Sequence, residues 1–232
     1  MNFLITGHSR GLGKALTNHC LAQGHTVYGA SRGAIENASP NLFQRPIDLS
    51  ELAELPEALD RLVDDNVTLD VVMLNAGMLG PIASMPDVDI NTFCAVMDLN
   101  VWANKVILDW LLRRRLAPQQ ILLISSGAGV RGNHGWSAYA ISKAALNMLT
   151  QLYAHEMPRT QLIALAPGLV DTAMQGAIRQ VDAEKFPSVK RLQDAHGTAA
   201  MPSAEEAADQ LLEALPTLKH KDSGSFVDMR KL

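Results

Sequence analysis

Tyr139 and Lys143 stand four residues apart in Tyr139-Ala-Ile-Ser-Lys143, and Ser126 lies thirteen residues before the tyrosine. Positions i and i+4 share one face of a helix. A phenol ordinarily titrates near ~10, too high for proton traffic at neutral pH. An ammonium one turn away favours the phenolate, so this spacing can make a proton donor and acceptor out of a poor one. A serine hydroxyl nearby could hold a carbonyl oxygen. By itself a Tyr/Lys pair at this spacing is more often an ordinary helix face, so its meaning depends on the elements that carry it.

Those elements alternate. Asn2 to Thr6 is a short apolar run ended by Gly7 and reads as a buried strand. Gly11 to Gln23 has helical spacing and stops at Gly24, as a C-terminal cap should. Further strands are expected at His25–Ser31, Asn41–Gln44, Leu69–Leu74, Gln120–Ser125, Leu162–Ala166 and, at an edge, Gly224–Asp228. Helices are expected over Glu51–Asp65 behind a Ser50 cap, Ile90–Leu116, Ser137–His155, and Ser203 to Leu215 with Glu206 completing a capping box. Pro56 disturbs the first of these. The pattern predicts a single-domain α/β chain over 1–232: a doubly wound Rossmann fold with a parallel sheet of about seven strands and helices on both faces. Residues 171–202 have the weakest pattern and are too long for an idle connection, so they read as a substrate loop or lid.

The first strand-to-helix turn is Thr6-Gly7-His8-Ser9-Arg10-Gly11-Leu12-Gly13. Gly7 permits a tight exit from the strand, Gly11 lets backbone approach a pyrophosphate, and Gly13 lets helix pack close to sheet. The helix N-terminus supplies N–H groups and positive dipole to the anion. The spacing is GxxxGxG, not the GxGxxG of other dinucleotide folds. The second strand ends in Ser31-Arg32, where an acid would hold a ribose 2′-hydroxyl. With Arg10 inside the loop, the guanidinium groups suit a phosphate monoester, and the cofactor expected is NADP(H) rather than NAD(H).

Taken together, the Thr6–Gly13 loop, Asn75-Ala76-Gly77, Asn100, Ser126, Tyr139/Lys143 and Pro167-Gly168 running to Thr172 resemble the short-chain dehydrogenase/reductase family, in its order and spacing and over nearly the whole length. Tyr139 to Met148 and the Gly224-Ser-Phe end also resemble its C-factor-like branch of small carbonyl reductases. The resemblance implies that Tyr139 is the general acid in reduction and the base in oxidation. Lys143 would lower its pKa and bind the nicotinamide ribose, and Ser126, favoured over Ser125 by the interval, would hold the substrate oxygen. Asn100 would keep a water next to Lys143. Ser9 and Leu12 belong to the cofactor loop, Asp48 and Leu49 to the adenine contact, and Asn75, Ala76 and Gly77 to the sheet's edge and the adenine ribose. Pro167 and Gly168 would line the nicotinamide, with Val170 and Thr172 on its carboxamide. By position His134, Trp136 and Met174 should border the substrate pocket, although His134 reads more readily as a solvated loop residue. For Trp136 an apolar wall and plain core packing both remain open, and His8 has no evident role.

The activity implied is hydride transfer between NADP(H) and a carbonyl or secondary-alcohol substrate. A catalytically idle, dinucleotide-sensing protein is the rival, and an epimerase or lyase a third reading; catalytically silent relatives usually lack the Tyr or the Lys, both present here. Hydrophobic residues at 47% and charged residues at 19% suit a globular enzyme. A net charge of -4 argues against nucleic acid, and Arg113-Arg114-Arg115 reads as a helix C-terminus favoured by the dipole. No apolar run approaches the ~20 residues that span a bilayer, structured sequence begins at Asn2, and a cytoplasmic location is expected. Cys20 and Cys94 lack metal or redox spacing and read as buried, inert thiols, and no metal site is expected. The helices around Ile90–Leu116 and Tyr139 resemble the pair that forms dimer interfaces in the family, so a homodimer or homotetramer is expected.

Overall fold

The computed structural model describes residues 1–36 and 39–232. Seven strands form one parallel sheet: β1 Asn2–Thr6, β2 Thr26–Ser31, β3 Leu42–Pro46, β4 Val71–Leu74, β5 Gln120–Ile124, β6 Gln161–Ala166 and β7 Phe226–Asp228, in the order β3-β2-β1-β4-β5-β6-β7. The central strands are short apolar runs because helices cover both of their faces. The period of two along each strand decides which layer a side chain joins. Phe3, Ile5, Met73, Leu122 and Ile163 pack beneath α1 (Gly11–Ala22) and α8 (Ala204–Leu218). Leu4, Val72, Leu74, Ile121 and Leu123 face the other way. They meet α2 (Leu55–Asp60), the helix α4 (Ala103–Arg113) and α5 (Ser137–Glu156). Each fully buried leucine in these layers contributes roughly 1.5–3 kcal/mol. The strand order reverses between β1 and β4, which opens a crevice at their carboxyl ends.

Several boundaries differ from expectation for identifiable reasons. The helix expected over Glu51–Asp65 shrinks to α2. Ser50 does not cap it, because its N–H and hydroxyl both turn back to Asp48 Oδ1, and the helix starts with Pro56 in its first turn. The long helix is continuous but not regular: α3 (Ile90–Met97) runs through a π-helical turn at Asp98–Trp102 into α4. Arg114 is more than a dipole partner. It donates to the carbonyls of Val63 and Asp64 and covers the Trp110 ring at 5.3 Å, tying α4 to the loop after α2. Gly24, at φ 76, ends α1, and the Ser203–Glu206 capping box opens α8, both as expected. Cys20 is buried but Cys94 is exposed, against expectation, because it falls on the outer side of α3. Among the described residues no helix is long and apolar enough to cross a membrane, and no His/Cys/Asp/Glu cluster could hold a metal.

Residues 171–202 carry more structure than their sequence pattern suggests. They hold α6 (Ala173–Arg179) and α7 (Lys190–Ala195), joined by a 3-10 turn at Pro187–Val189. Ile178, Phe186, Val189 and Leu192 form a small core with Trp136, separate from the two sheet layers.

Candidate active site

The carboxyl end of β5 delivers two serines with different fates. Ser125 is buried and donates to Asn147 Oδ1 at 2.5 Å, so its hydroxyl is committed to the core. Ser126 is extended (φ -155), half-buried, and its Oγ accepts from the Ala128 N–H at 3.2 Å. The 3-10 turn Gly127–Gly129 presses on α5 so closely that a Cβ on Gly129 would stand 2.7 Å from the Lys143 carbonyl carbon. That contact seats the serine against the helix carrying Tyr139 and Lys143. In the sequence Gly129 is one glycine of a Gly-Ala-Gly run, and nothing local marks this contact.

Lys143 is 4% exposed, and its Nζ donates to the Ile124 carbonyl at 2.7 Å. It lies 5.7 Å from the centre of the Tyr139 ring. Burial pushes its pKa down to about 8. Tyr139 is partly buried, and here the electrostatics run against expectation: desolvation raises its pKa above the ordinary value, and the Ser126 hydroxyl only partly opposes the rise. Lys143 does not lower it in this structure, because its ammonium is bonded to the β5 backbone instead of the phenol.

Asn100 sits fully buried in the π-helical turn. Its Oδ1 accepts from the Met78 N–H at 2.8 Å, and its Nδ2 donates to the Met78 carbonyl and to Ser142 Oγ, both at 2.9 Å. The Asn104 side chain donates to its backbone carbonyl. The side chain expected to keep a water is therefore committed to holding the loop after β4. A Cβ on Gly77 would stand 3.1 Å from Asn100 Oδ1 and 3.6 Å from Lys143 Nζ, so the three residues share one small space. Ser142 joins them by accepting from Asn100 and donating to the Tyr139 carbonyl.

The crevice between β1 and β4 holds the glycine loop. Gly7 and Gly11 take the left-handed region at φ 67 and φ 51, and a Cβ on Gly13 would stand 2.2 Å from the Gly7 carbonyl oxygen. Arg10 is the N-cap of α1 and makes no side-chain cap bond, so among the described residues its side chain does not occupy the first-turn N–H groups. Asn75 Nδ2 donates to the Thr6 carbonyl, and the Ala76 N–H donates to Thr6 Oγ1. Leu12, Leu49 and Val170 bury their side chains in the core, so only their backbones can face a ligand. Asp48 is occupied by the Ser50 turn, with the Arg32 guanidinium 3.9 Å away. Thr172 is the N-cap of α6 without a side-chain cap bond, and its methyl group lies 3.5 Å from where a Gly11 Cβ would be. Pro167 and Gly168 follow β6 at the same end of the sheet, half-buried, with Gly168 at φ 89.

His8 has a role that the sequence did not disclose. It is buried, with Nδ1 at 2.9 Å from Ser31 Oγ and Nε2 at 2.8 Å from Gln44 Oε1. Ser31 in turn bonds Ser9 Oγ and the Gly33 carbonyl. The glycine loop and the turn carrying Arg32 are thus one hydrogen-bonded unit, and Arg32 itself is largely exposed. Burial lowers the His8 pKa, favouring the neutral ring. A positive-φ glycine loop, a helix N-terminus that Arg10 does not cap with its side chain, and the exposed guanidinium groups of Arg10 and Arg32 at one crevice fit a dinucleotide.

On the other side of Tyr139, Trp136 lies 6.1 Å away ring to ring and donates its indole N–H to Ser188 Oγ at 2.8 Å. It serves the small helical core and borders the tyrosine at once. His134 is exposed, bonded to Ser84 Oγ and packed beside Phe186, as a loop histidine would be. Met174 is half-buried in the first turn of α6.

Comparison with known proteins agrees with this architecture. Residues 2–183 match the family model for short chain dehydrogenases. The chain is 31% identical over 241 aligned positions to a benzil reductase ((S)-benzoin forming) of Bacillus subtilis, covering 99% of this chain and 98% of the relative. It is 29% identical over 182 residues to an NADPH-dependent pterin aldehyde reductase of Arabidopsis thaliana, covering 74% and 75% of the two chains. The crystal structure of a short-chain dehydrogenase/reductase from Saccharomyces cerevisiae superposes with a TM-score of 0.87 at 25% identity, covering 98% of this chain and 95% of the other. The shared fold, the matched length and the full-length similarity to an oxidoreductase lead to one conclusion: this chain belongs to the short-chain dehydrogenase family.

Proposed function

We propose that the protein is an NADP(H)-dependent carbonyl reductase, with Tyr139 as general acid. The observation that carries this reading is the half-buried Ser126 hydroxyl facing the Tyr139 phenol, one residue past a serine whose hydroxyl the core has taken. A bound nicotinamide cofactor would supply the hydride. As negative charge develops on the substrate oxygen, Ser126 and Tyr139 would donate to it. Tyr139 then gives up its proton; the Lys143 ammonium, 5.7 Å from the ring centre, would stabilise the phenolate that remains once it turns from the Ile124 carbonyl toward the phenol. Asn100 acts by holding the Met78 loop and Ser142, and so the wall around Lys143.

Arg10, Ser31 and Arg32 support the choice of a 2′-phosphorylated cofactor, since guanidinium groups match phosphate and no acid ends β2. The NADPH dependence of the pterin aldehyde reductase points the same way. Residues 171–202 would serve as the substrate loop, with Trp136 and Met174 as its apolar wall against small carbonyl substrates. Trp102, Ile141, Met148 and Leu152 are exposed on the π-helical turn and α5, which favours a homodimer or homotetramer built on that face.

The test is NADPH and NADH oxidation by the purified protein across a panel of carbonyl compounds, with Tyr139→Phe as control. We expect NADPH-dependent turnover that the substitution abolishes. Equal turnover by wild type and variant would overturn the catalytic assignment, and a clear preference for NADH would overturn the cofactor assignment.

A further inference from the structure

β6 and β7 pair with Ala166 opposite Asp228, so the residues after β7 emerge beside Pro167-Gly168. Asp228 caps the closing 3-10 turn by accepting from the Arg230 N–H at 3.1 Å. The same carboxylate takes the Arg230 Nε at 2.9 Å and Nη2 at 2.5 Å. This fork folds the arginine back over the catalytic end of the sheet. A Cβ on Gly168 would stand 3.4 Å from Arg230 Cγ and Cδ, and one on Gly127 would stand 3.8 Å from Nη2. The stem therefore lies across Gly168, and the guanidinium reaches the residue immediately after Ser126.

The fork with Asp228 thus sets the guanidinium along two glycines at the carboxyl end of the sheet. Asp228 occupies the Nε/Nη2 edge, and Nη1 has no acceptor among the described residues. The side chain remains 47% exposed while its carboxylate partner is 9% exposed. The pair is thus a braced donor whose charge is already matched. An anion would put a second carboxylate on one guanidinium, whereas a neutral oxygen can accept from Nη1 without that cost.

We propose that Arg230 is a specificity residue for carbonyl substrates bearing a second, uncharged oxygen acceptor on the carbon next to the reacting carbonyl, an inference that rests on the carbonyl-reductase reading above. Ser126 and Tyr139 take the reacting oxygen, and Arg230 takes its neighbour. Asp228 is a positioning residue that fixes the fork.

The test compares wild type with Arg230→Met, which keeps a stem over Gly168 but no donor. Four substrates are used: a 1,2-diketone, the matching monoketone, a 2-oxo acid and its methyl ester. The variant-to-wild-type ratio of kcat/KM is read for each, because diketones are intrinsically more reactive. We expect the variant to lose about tenfold or more on the diketone and the ester, and to stay within about twofold on the monoketone. An equal loss on all four substrates would mark a structural role and overturn the proposal, as would no loss on any. A loss confined to the 2-oxo acid would assign the site to an anion and overturn it equally. If wild type reduces none of them with either cofactor, the carbonyl-reductase reading falls first and this one with it.

Discussion

Lys143 donates to the carbonyl of Ile124, the last residue of β5, and so binds α5 to the strand that presents Ser126. The bond holds a nearly buried ammonium whose pKa is pushed from the ordinary 10.5 down to about 8. A lysine lowered in this way binds fewer protons folded than unfolded between about 8 and 10.5. The stability contributed at this site therefore rises with pH across that window, and below it the folded chain carries the burial penalty. That penalty is roughly 3 kcal/mol at most. Lys143→Met should reduce turnover by about 10²-fold or more, yet raise unfolding free energy at pH 7 by roughly 1–3 kcal/mol. Urea denaturation at pH 7 and pH 9.5 checks the sign, since the gap between variant and wild type should narrow at the higher pH.

Asn100 spends its whole side chain on Met78 and Ser142. Asn100→Ala would leave the Met78 N–H and carbonyl without these partners and should cost about 2–4 kcal/mol of stability. Chemical denaturation measures it. A variant as stable as wild type would show that the loop after β4 is held by something else.

Gly13 and Gly24 separate two uses of glycine. A Cβ on Gly13 meets the Gly7 carbonyl at 2.2 Å, whereas one on Gly24 meets nothing within 4 Å and suffers only from its φ of 76. Gly13→Ala should destabilise by about 1–3 kcal/mol and weaken NADPH binding in a fluorescence titration. Gly24→Ala should cost about 1 kcal/mol and leave binding unchanged.

The two thiols should also differ. Cys20 is buried and its pKa is raised to about 12 by desolvation, while Cys94 is exposed. One equivalent of an aromatic disulfide reagent should react with the native protein and two after unfolding. Two fast equivalents in the native state would contradict the burial of Cys20.

The chain's own pattern was enough to place the strands, the glycine loop and the Tyr139 helix, because hydrophobic period and glycine punctuation are local. Gly24 and the Ser203–Glu206 box were legible for the same reason. The helix after Ser50 starts later than its spacing implies because the competing bond, Ser50 to Asp48, is a side-chain choice that spacing does not reveal. The π-helical turn at Asn100 also escaped, since its side chain bonds Met78, 22 residues away.

At the site, residue types and intervals suggested a dinucleotide-type turn after the first strand, and together with the family resemblance they grouped Ser126, Tyr139 and Lys143. Only the tertiary structure decided how their atoms are committed. It gave Ser125 to Asn147, Lys143 to Ile124, His8 to Ser31 and Gln44, and Arg230 to the rim beside Gly127 and Gly168. It also reversed the expected direction of the Tyr139 pKa, because desolvation depends on what surrounds a group in space. Periodicity and motif spacing act along the chain, whereas burial and long-range hydrogen bonding exist only once the sheet has brought distant segments to one edge.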